Sequence, residues 1–496
     1  MKDLGTISMY FNFVDAKTAS VMKELMKKSY NYFDFSNLLI ERVFQDITSH
    51  FLPFMAVLHS WKLWDMHSLT RLSKMYSKHP LVRPYLLDIK SSLGEEVDWQ
   101  GVLDSTKAVL DTNPEKWIAL HMHRLDHDVV SGSHRAKLRV SPLASIGNLL
   151  RKNSELSCFS SDYWFSQAAL WTRIEDQDRR EAVIVRGIDL ARKYNDRYSE
   201  GYGLRALAAL SYTNIKQVEV YLRSADAIFE ELGHKLGLAD NLGTRSGVFQ
   251  IKGNYDAALE CLFESIRLRE ALGLNSWIIP TNVAWIYNII GDYRSALEWS
   301  DYALMSICMC DNILGYPHLQ RARALINVGR TKEALEHLDS ALQYALKEGD
   351  ERLMKLYDVA SSLLQRAEGN IRSALLNLER YFNSDYSTLN DFDINEYLLL
   401  LAETELFAFN PDEKDPNSEH AGPWMEQLEH RARENELAGF LGLALLLKAR
   451  LRLKQNRVFA AKCLVDEAQQ MGQIYNMDFL SKRAEYLSEK ARLIDL

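Results

Sequence analysis

An all-α solenoid of helix–turn–helix repeats is the fold class this sequence predicts, and three observations predict it. The motif G-x-x-x-x-A-L recurs as GNYDAAL from Gly253, GDYRSAL from Gly291, GRTKEAL from Gly329 and GNIRSAL from Gly369, at spacings of 38, 38 and 40 residues. A small side chain stands seven positions before each anchor, at Ser246, Ala284, Ala322 and Ser362, and an alanine five positions after it, at Ala258, Ala296, Ala334 and Ala374. No strand-rich block occurs anywhere along the chain. A fixed period of this length marks a stacked array of supersecondary units. Such an array lets 496 residues fold without one oversized core.

Residues 1–145 read as helical, in the manner of degenerate repeats. SYNYFDF (29–35) is aromatic-dense without strand alternation and fits packed helix ends. KMYSKHPLVRPYLLDI (74–89) has helix–proline–helix character, and VLDTNPEKWIALHMHRL (109–125) reads as a repeat junction, with an Asn-Pro stop before a new helix carrying Trp117.

The array itself is expected over 146–382. Each block there reads as helix A, a tight turn, then helix B. The small residues sit where the two helices cross and allow close backbone approach. The turn glycine supplies the positive φ that ends helix A. TNIKQVEVYL from Thr213 is a further copy without the glycine, with Ala206 at the small position. Pro280 and Pro317 fall in the first turn of their helices A, where a missing N–H costs nothing. NSDYSTLNDFDIN (383–395) and NPDEKDPNSEHAGP (410–423) turn polar, so 383–424 is expected to be a loop-rich interruption with one or two helices. Residues 425–496 return to repeat-like helices, with NRVFAAKCLVDEA from Asn456 as another copy flanked by Ala449 and Ala461.

Composition narrows the function class. The hydrophobic fraction of 47% and charged fraction of 25% are those of a folded globular protein. Ten prolines and 23 glycines leave little room for long disordered stretches. A net charge of −8 with pI near 6.0 argues against a general nucleic-acid binder, and no direct nucleic-acid partner is expected. The five cysteines (Cys158, Cys261, Cys308, Cys310, Cys463) are scattered and odd in number, which fits a reducing compartment better than a disulfide framework. MKDLGTISMYFNFVDAK has an early acid and no apolar run of signal-peptide length. The longest apolar stretch, Phe440 to Leu447, is broken at Lys448 and falls short of the roughly 20 residues a bilayer requires. A cytoplasmic location without a membrane span is the expectation.

Catalytic and cofactor signatures are absent. Neither phosphate-cradling glycine motif occurs, nor a nucleophile elbow, H-E-x-x-H or C-x-x-C. HMHRLDHDV places His123 and His127 four apart on one helix face, with His121, Asp126, Asp128 and His134 nearby, a pattern that can bind a metal. Polar positions on a solvent-facing helix account for the same pattern without a metal. Carboxylate pairs such as Glu95-Glu96 read as solvated surface rather than acid/base machinery. The 23 tyrosines and 10 tryptophans fit wedges between stacked helices, and basic pairs such as Lys27-Lys28 and Arg179-Arg180 fit surface solubility. No catalytic residue, resident metal or cofactor is assigned.

The small residue in helix A, the turn Gly291-Asp292-Tyr293 and the alanines at 296 and 303 resemble the tetratricopeptide repeat. The resemblance is strong over 200–380, fair over 425–496 and weak before 200. The usual repeat is shorter by about one helical turn, and long repeats of this kind are similar to those of MalT-type and peptide-sensing bacterial regulators and of kinesin light chain. The resemblance implies a right-handed α-solenoid whose A helices line a concave groove for a protein or peptide. By its pattern the groove positions are Gln250, Thr281, Trp285, Asn288, Arg323, Asn327 and Arg366. Asparagine amides there offer donor and acceptor to an extended backbone, and arginines clamp carboxylates. Gly243 and Gly247 stand where side chains are expected, leaving that part of the groove bare or tightly closed. A non-enzymatic scaffold or adaptor with a regulatory role is the leading expectation. A structural subunit of a larger assembly is the second, and an enzyme or metal-binding protein using the His121–His134 cluster is the third. Residues 1–60 lack a helix-turn-helix pattern, which counts against direct transcriptional control.

Overall fold

Every element of the described chain is an α-helix. A computed structural model describes residues 14–29, 32–45, 51–63, 65–76, 177–210, 215–274, 278–306, 315–348, 350–385, 391–409 and 422–495, with isolated positions between 79 and 164. In chain order the helices begin with α1 (Ala16–Lys28), α2 (Tyr32–Gln45), α3 (Phe51–Leu63), α4 (Met66–Tyr76), α5 (Gln177–Lys193), α6 (Arg197–Leu210) and α7 (Ile215–Leu232). There follow α8 (Lys235–Lys252), α9 (Tyr255–Glu270), α10 (Ile278–Ile290), α11 (Tyr293–Met305), α12 (Gly315–Asn327), α13 (Thr331–Glu348) and α14 (Glu351–Ala367). The last are α15 (Ile371–Asp385), α16 (Asp391–Ala408), α17 (Pro423–Glu434), α18 (Ala438–Lys454), α19 (Val458–Ile474) and α20 (Asp478–Asp495). The chain divides into two compact units, one of Met1–Thr244, Ser265–Ser276 and Ser306–Ile313, the other of Arg245–Glu264, Trp277–Met305 and Leu314–Leu496.

In the first unit, Phe35 and Leu39 of α2, Phe54 and Met55 of α3 and Leu69 of α4 share one core with Ile184, Leu204 and Phe229 of α5–α7. Asp15 caps α1 by accepting from the Thr18 amide at 2.8 Å. Gly201 on α6 is what admits the Phe229 ring, since a Cβ there would lie 2.7 Å from it.

The second unit repeats one hairpin design. Gly253, Gly291, Gly329 and Gly369 have φ of +72°, +81°, +78° and +92°, the left-handed turn that glycine adopts without a Cβ penalty. The residue after each glycine returns its N–H to a carbonyl five back: Asn254 to Phe249, Asp292 to Tyr287, Arg330 to Leu325, Asn370 to Gln365. This is the Schellman closure. In two of the turns the same residue then starts helix B, Asn254 accepting from Ala257 at 3.2 Å and Asp292 from Ser295 at 3.1 Å. Two residues thus end one helix and begin the next. Asn456 and Asn476, with φ of +57° and +51°, do the glycine's work in the later turns.

The small residues behave as the pattern requires. Ser246, Ala284, Ala322, Ser362 and Ala449 are buried, as are Ala258, Ala296, Ala334, Ala374 and Ala461. Ala206 differs. It is half-buried while Ala208 is fully buried, so the copy without a turn glycine crosses at a shifted position. Pro280 and Pro317 are each the third residue of their helix, within the first turn. Successive hairpins stack through their A helices, α10 on α12, α12 on α14, α16 on α18 and α18 on α20. The second unit is thus an all-α solenoid of helix–turn–helix repeats.

Candidate functional site

The A helices of the second unit turn one face inward, and that face is covered. On α10 the buried set runs from Ile279 through Ile289 and includes Thr281, Trp285 and Asn288, so the helix is enclosed on most of its circumference. The cover is α16. Its stretch Ile394–Ala402 is buried without a break, and Thr404 and Leu406 are buried beyond it.

Glu396 is the centre of the arrangement. The indole Nε1–H of Trp285 donates to Glu396 Oε2 at 2.9 Å. The Arg323 guanidinium pairs with Oε1 of the same carboxylate, with side-chain exposures of only 7% and 4%. A charge pair that dry survives only when both groups are matched, since removing one partner leaves an uncompensated charge. Two turns further along α16, Arg366 Nη1–H donates to Thr404 Oγ1 at 3.1 Å, lies 4.0 Å from Glu403 Oε2, and sits over the Phe407 ring at 4.9 Å. Burial pushes the Arg366 guanidinium below its ordinary value. Asn288 donates to the Gln320 carbonyl at 2.9 Å, while its own Oδ1 has no hydrogen-bond partner. Asn327 donates back to the Arg323 carbonyl of its own helix at 2.9 Å and is otherwise exposed.

Between these groups lies a cavity of about 30 Å³, lined among others by Asn288, Tyr293, Arg323, Asn327, Arg366 and Glu403. That volume holds a water or two and no larger guest. Burial first, and then Glu403, raise the Tyr293 phenol above its usual value, with Arg483, Arg366 and Arg323 opposing.

Of the seven positions that the repeat pattern nominates, Asn288, Arg323, Asn327 and Arg366 line this cavity, and Trp285 joins them through Glu396. Gln250 and Thr281 are buried and do not line it. Gln250, Thr281, Trp285, Asn288 and Arg323 are all less than 10% exposed, held by the chain itself rather than by solvent. Sequence reasoning missed Glu396, Glu403, Thr404 and Tyr293. A signal for the acids exists: in NEYLLLLAETELF they interrupt an apolar helix and stand seven apart, on one face. Tyr293, read as turn punctuation, both begins helix B and faces the cavity. At Gly243 an added Cβ would meet nothing within 4 Å, so that position is bare rather than tightly closed.

The inner face also closes on itself. At the α8–α9 turn, Gly253 lies so near the start of α18 that a Cβ on Gly439 would stand 2.1 Å from the Gly253 carbonyl oxygen. Asn254 Nδ2–H donates to the Tyr475 carbonyl at 3.4 Å, and Asp256 accepts from the Phe479 amide at 3.2 Å, capping α20. Arg483 returns the exchange by donating to the Ile289 carbonyl at 3.2 Å, at the C-terminus of α10. Behind these bonds the fully buried Tyr255 ring packs edge-on against Phe479 at 5.3 Å and against Trp285 and Phe440 at 6.2 Å. Burial raises the Tyr255 phenol well above its ordinary value, and its hydroxyl has no partner.

Among the described residues no group of three or more His, Cys, Asp or Glu side chains could hold a metal ion. The His121–His134 cluster, Glu95-Glu96, Cys158, Cys308 and Cys310 lie outside the described residues. Cys261 is half-buried and Cys463 exposed, and neither is part of a disulfide. No helix of the described chain is long and apolar enough to cross a membrane.

No family model matches the chain, and no curated protein matches it. Solved structures do. The Rap protein complexed with competence and sporulation factor is 11% identical, with a TM-score of 0.41 over 76% of this chain and 97% of that one. A signal-transduction ATPase with a tetratricopeptide repeat sensor from Pyrococcus horikoshii is 14% identical, with a TM-score of 0.35 over 72% of this chain and 56% of that one. Yeast Tom70 is 10% identical, with a TM-score of 0.32 over 96% and 95%.

Proposed function

We propose that this chain is a non-enzymatic scaffold that binds a protein or peptide segment on the inner face of its second unit, in the cytoplasm and in a regulatory role. The observation that carries the reading is the convergence of Arg323, Arg366, Asn288 and Asn327 on one cavity. Two guanidiniums and two amides are the chemistry that holds carboxylates and an extended backbone together. The regulatory part of the reading rests on the resemblance to long-repeat peptide-sensing arrays.

The test is capture of partners from lysate by the full chain, with mass spectrometry, beside an Asn288→Ala/Asn327→Ala variant. The variant is expected to keep its helical circular dichroism and lose the captured protein. Equal capture by both would end the assignment of the inner face.

A second reading has its own observation. Exposed apolar side chains stand on the B helices, with Leu346 at 63%, Leu376 at 61% and Phe459 at 82% exposure. Side chains of this kind on the outer helices suit fixed protein neighbours. Partners that survive the double asparagine change but are lost on Leu376→Lys and Phe459→Lys would favour a structural subunit.

A further inference from the structure

We propose that the second unit is latched shut over its own carboxylate, and that release of the contact between the α8–α9 turn and the N-terminal ends of α18 and α20 exposes the inner face. The proposal rests on the binding reading above and names how that site is regulated.

Three features point to a releasable contact. The first is occupancy. Trp285 Nε1–H and the Arg323 guanidinium both hold Glu396, so α16 supplies from within the carboxylate that a bound segment would supply from outside. The cavity of about 30 Å³ leaves no room for a peptide beside it.

The second is the make-up of the closure. Gly253 and Gly439 meet backbone to backbone, with no side chain of either to interlock. The polar part includes Asn254 to the Tyr475 carbonyl, the N–H groups of Phe479 and Asp478 to Asp256, and Arg483 to the Ile289 carbonyl. On opening, water takes the place of each partner and offsets part of the loss. The Tyr255 aromatic contacts are the apolar part.

The third is what the closed state leaves unsatisfied. Tyr255 Oη, Asn288 Oδ1 and Asn395 Nδ2 are buried without hydrogen-bond partners. All three sit on the elements that close around Glu396, and burial raises both the Tyr255 phenol and the half-buried Asp256 carboxylate above their ordinary values. Orphaned groups of this kind oppose the closed state, and opening rehydrates them. Dry packing and stranded polar atoms therefore pull in opposite directions, which is the condition for two accessible states.

The experiment uses thiol labelling of the full chain with its five native cysteines changed to Ser. Leu399→Cys, at 3% exposure and on the cavity wall, is the reporter, and Leu378→Cys, fully buried on α15, is the control. N-ethylmaleimide is the probe. Gly439→Ala drives a methyl into the Gly253 backbone and is expected to speed labelling of the reporter at least tenfold, with the control unchanged. Should Gly439→Ala fail to fold, Asn254→Ala/Arg483→Ala removes two latch bonds without a clash and is expected to act in the same direction. Equal reporter rates in latched and unlatched folded proteins would overturn the proposal, as would equal acceleration of reporter and control, which reports global unfolding. Faster reporter labelling in a protein that still captures no partner leaves the latch standing and ends the binding reading instead.

Discussion

Alanine at two turn glycines should give unequal losses, and the structure says by how much. At Gly329 φ is +78° and an added Cβ would meet nothing within 4 Å. Gly329→Ala therefore costs only the left-handed backbone, about 1–2 kcal/mol for a residue with a Cβ. At Gly291 φ is +81°, and the Cβ would stand 2.9 Å from Arg483 Nη2. The guanidinium must then leave the Ile289 carbonyl to which it donates at 3.2 Å. Losing that charge-assisted bond adds about 1.5–3 kcal/mol, so Gly291→Ala should cost about 2.5–5 kcal/mol. The assay is urea unfolding followed by helical circular dichroism, run as a double-mutant cycle with Arg483→Ala. In the Arg483→Ala background the two glycine substitutions should cost the same. A difference that survives there, or no difference in the native background, would refute the reasoning about the Arg483 contact. A free Gly329→Ala would refute the reasoning about the turn.

Two titrating groups give opposite slopes of stability against pH. Burial first, then His337 and Arg321, hold His318 down at about 4 against its ordinary 6.5, while Nδ1 of the two histidines meet at 2.7 Å, Arg321 donates to His337 Nε2 and pairs with Asp301, and the Tyr344 ring stacks on His318. The unfolded chain then binds more protons between about pH 4 and 6.5, so this contribution is lost as pH falls through that window. Burial pushes Glu405 up to about 7 from 4.5 despite the amides of Met425 and Trp424, so its folded form binds more protons and its contribution is lost as pH rises from about 4.5 to 7. His318→Gln should flatten the first slope and Glu405→Gln the second, read as urea midpoints across pH 4 to 8; unchanged profiles would refute the assignments. Trp285→Phe strips the buried Glu396 of its indole donor and should cost about 1.5–3 kcal/mol in the same unfolding assay. A loss no larger than that of an exposed aromatic such as Tyr486→Phe would show that Glu396 does not depend on it. Asn288→Ala/Asn327→Ala should abolish partner capture with helicity intact.

What the sequence made legible was local. A positive φ at Gly291 is demanded by two helices meeting within three residues, and the burial of Ala284 and Ala296 follows from the same crossing. Those requirements are written within a few positions of each other. The state of the inner face is not. Whether Trp285 meets solvent or Glu396 depends on α16, 111 residues away, and on how that helix settles against α10 and α12. The repeat pattern locates Asn288 and Arg323 on the inward side of their helices. It carries no information about a helix outside the regular period. The polar tracts at 383–395 and 410–423 read as interruption, yet α16 begins inside the first of them and carries the charge that fills the site. Tyr293 shows the same limit in small: the turn defines its backbone, but only distant packing turns its ring toward a cavity.

A stacked array usually owes its stability to nearest neighbours and can fray from either end. The bond from Asn254 to the Tyr475 carbonyl joins residues 221 apart and changes that arithmetic. Closing so long a loop is slow and comes late, because its entropy must be spent before any contact repays it. Once closed, the second unit has no free end from which to melt. Its hairpins should then exchange their amide hydrogens as one cooperative block rather than as a gradient from the termini.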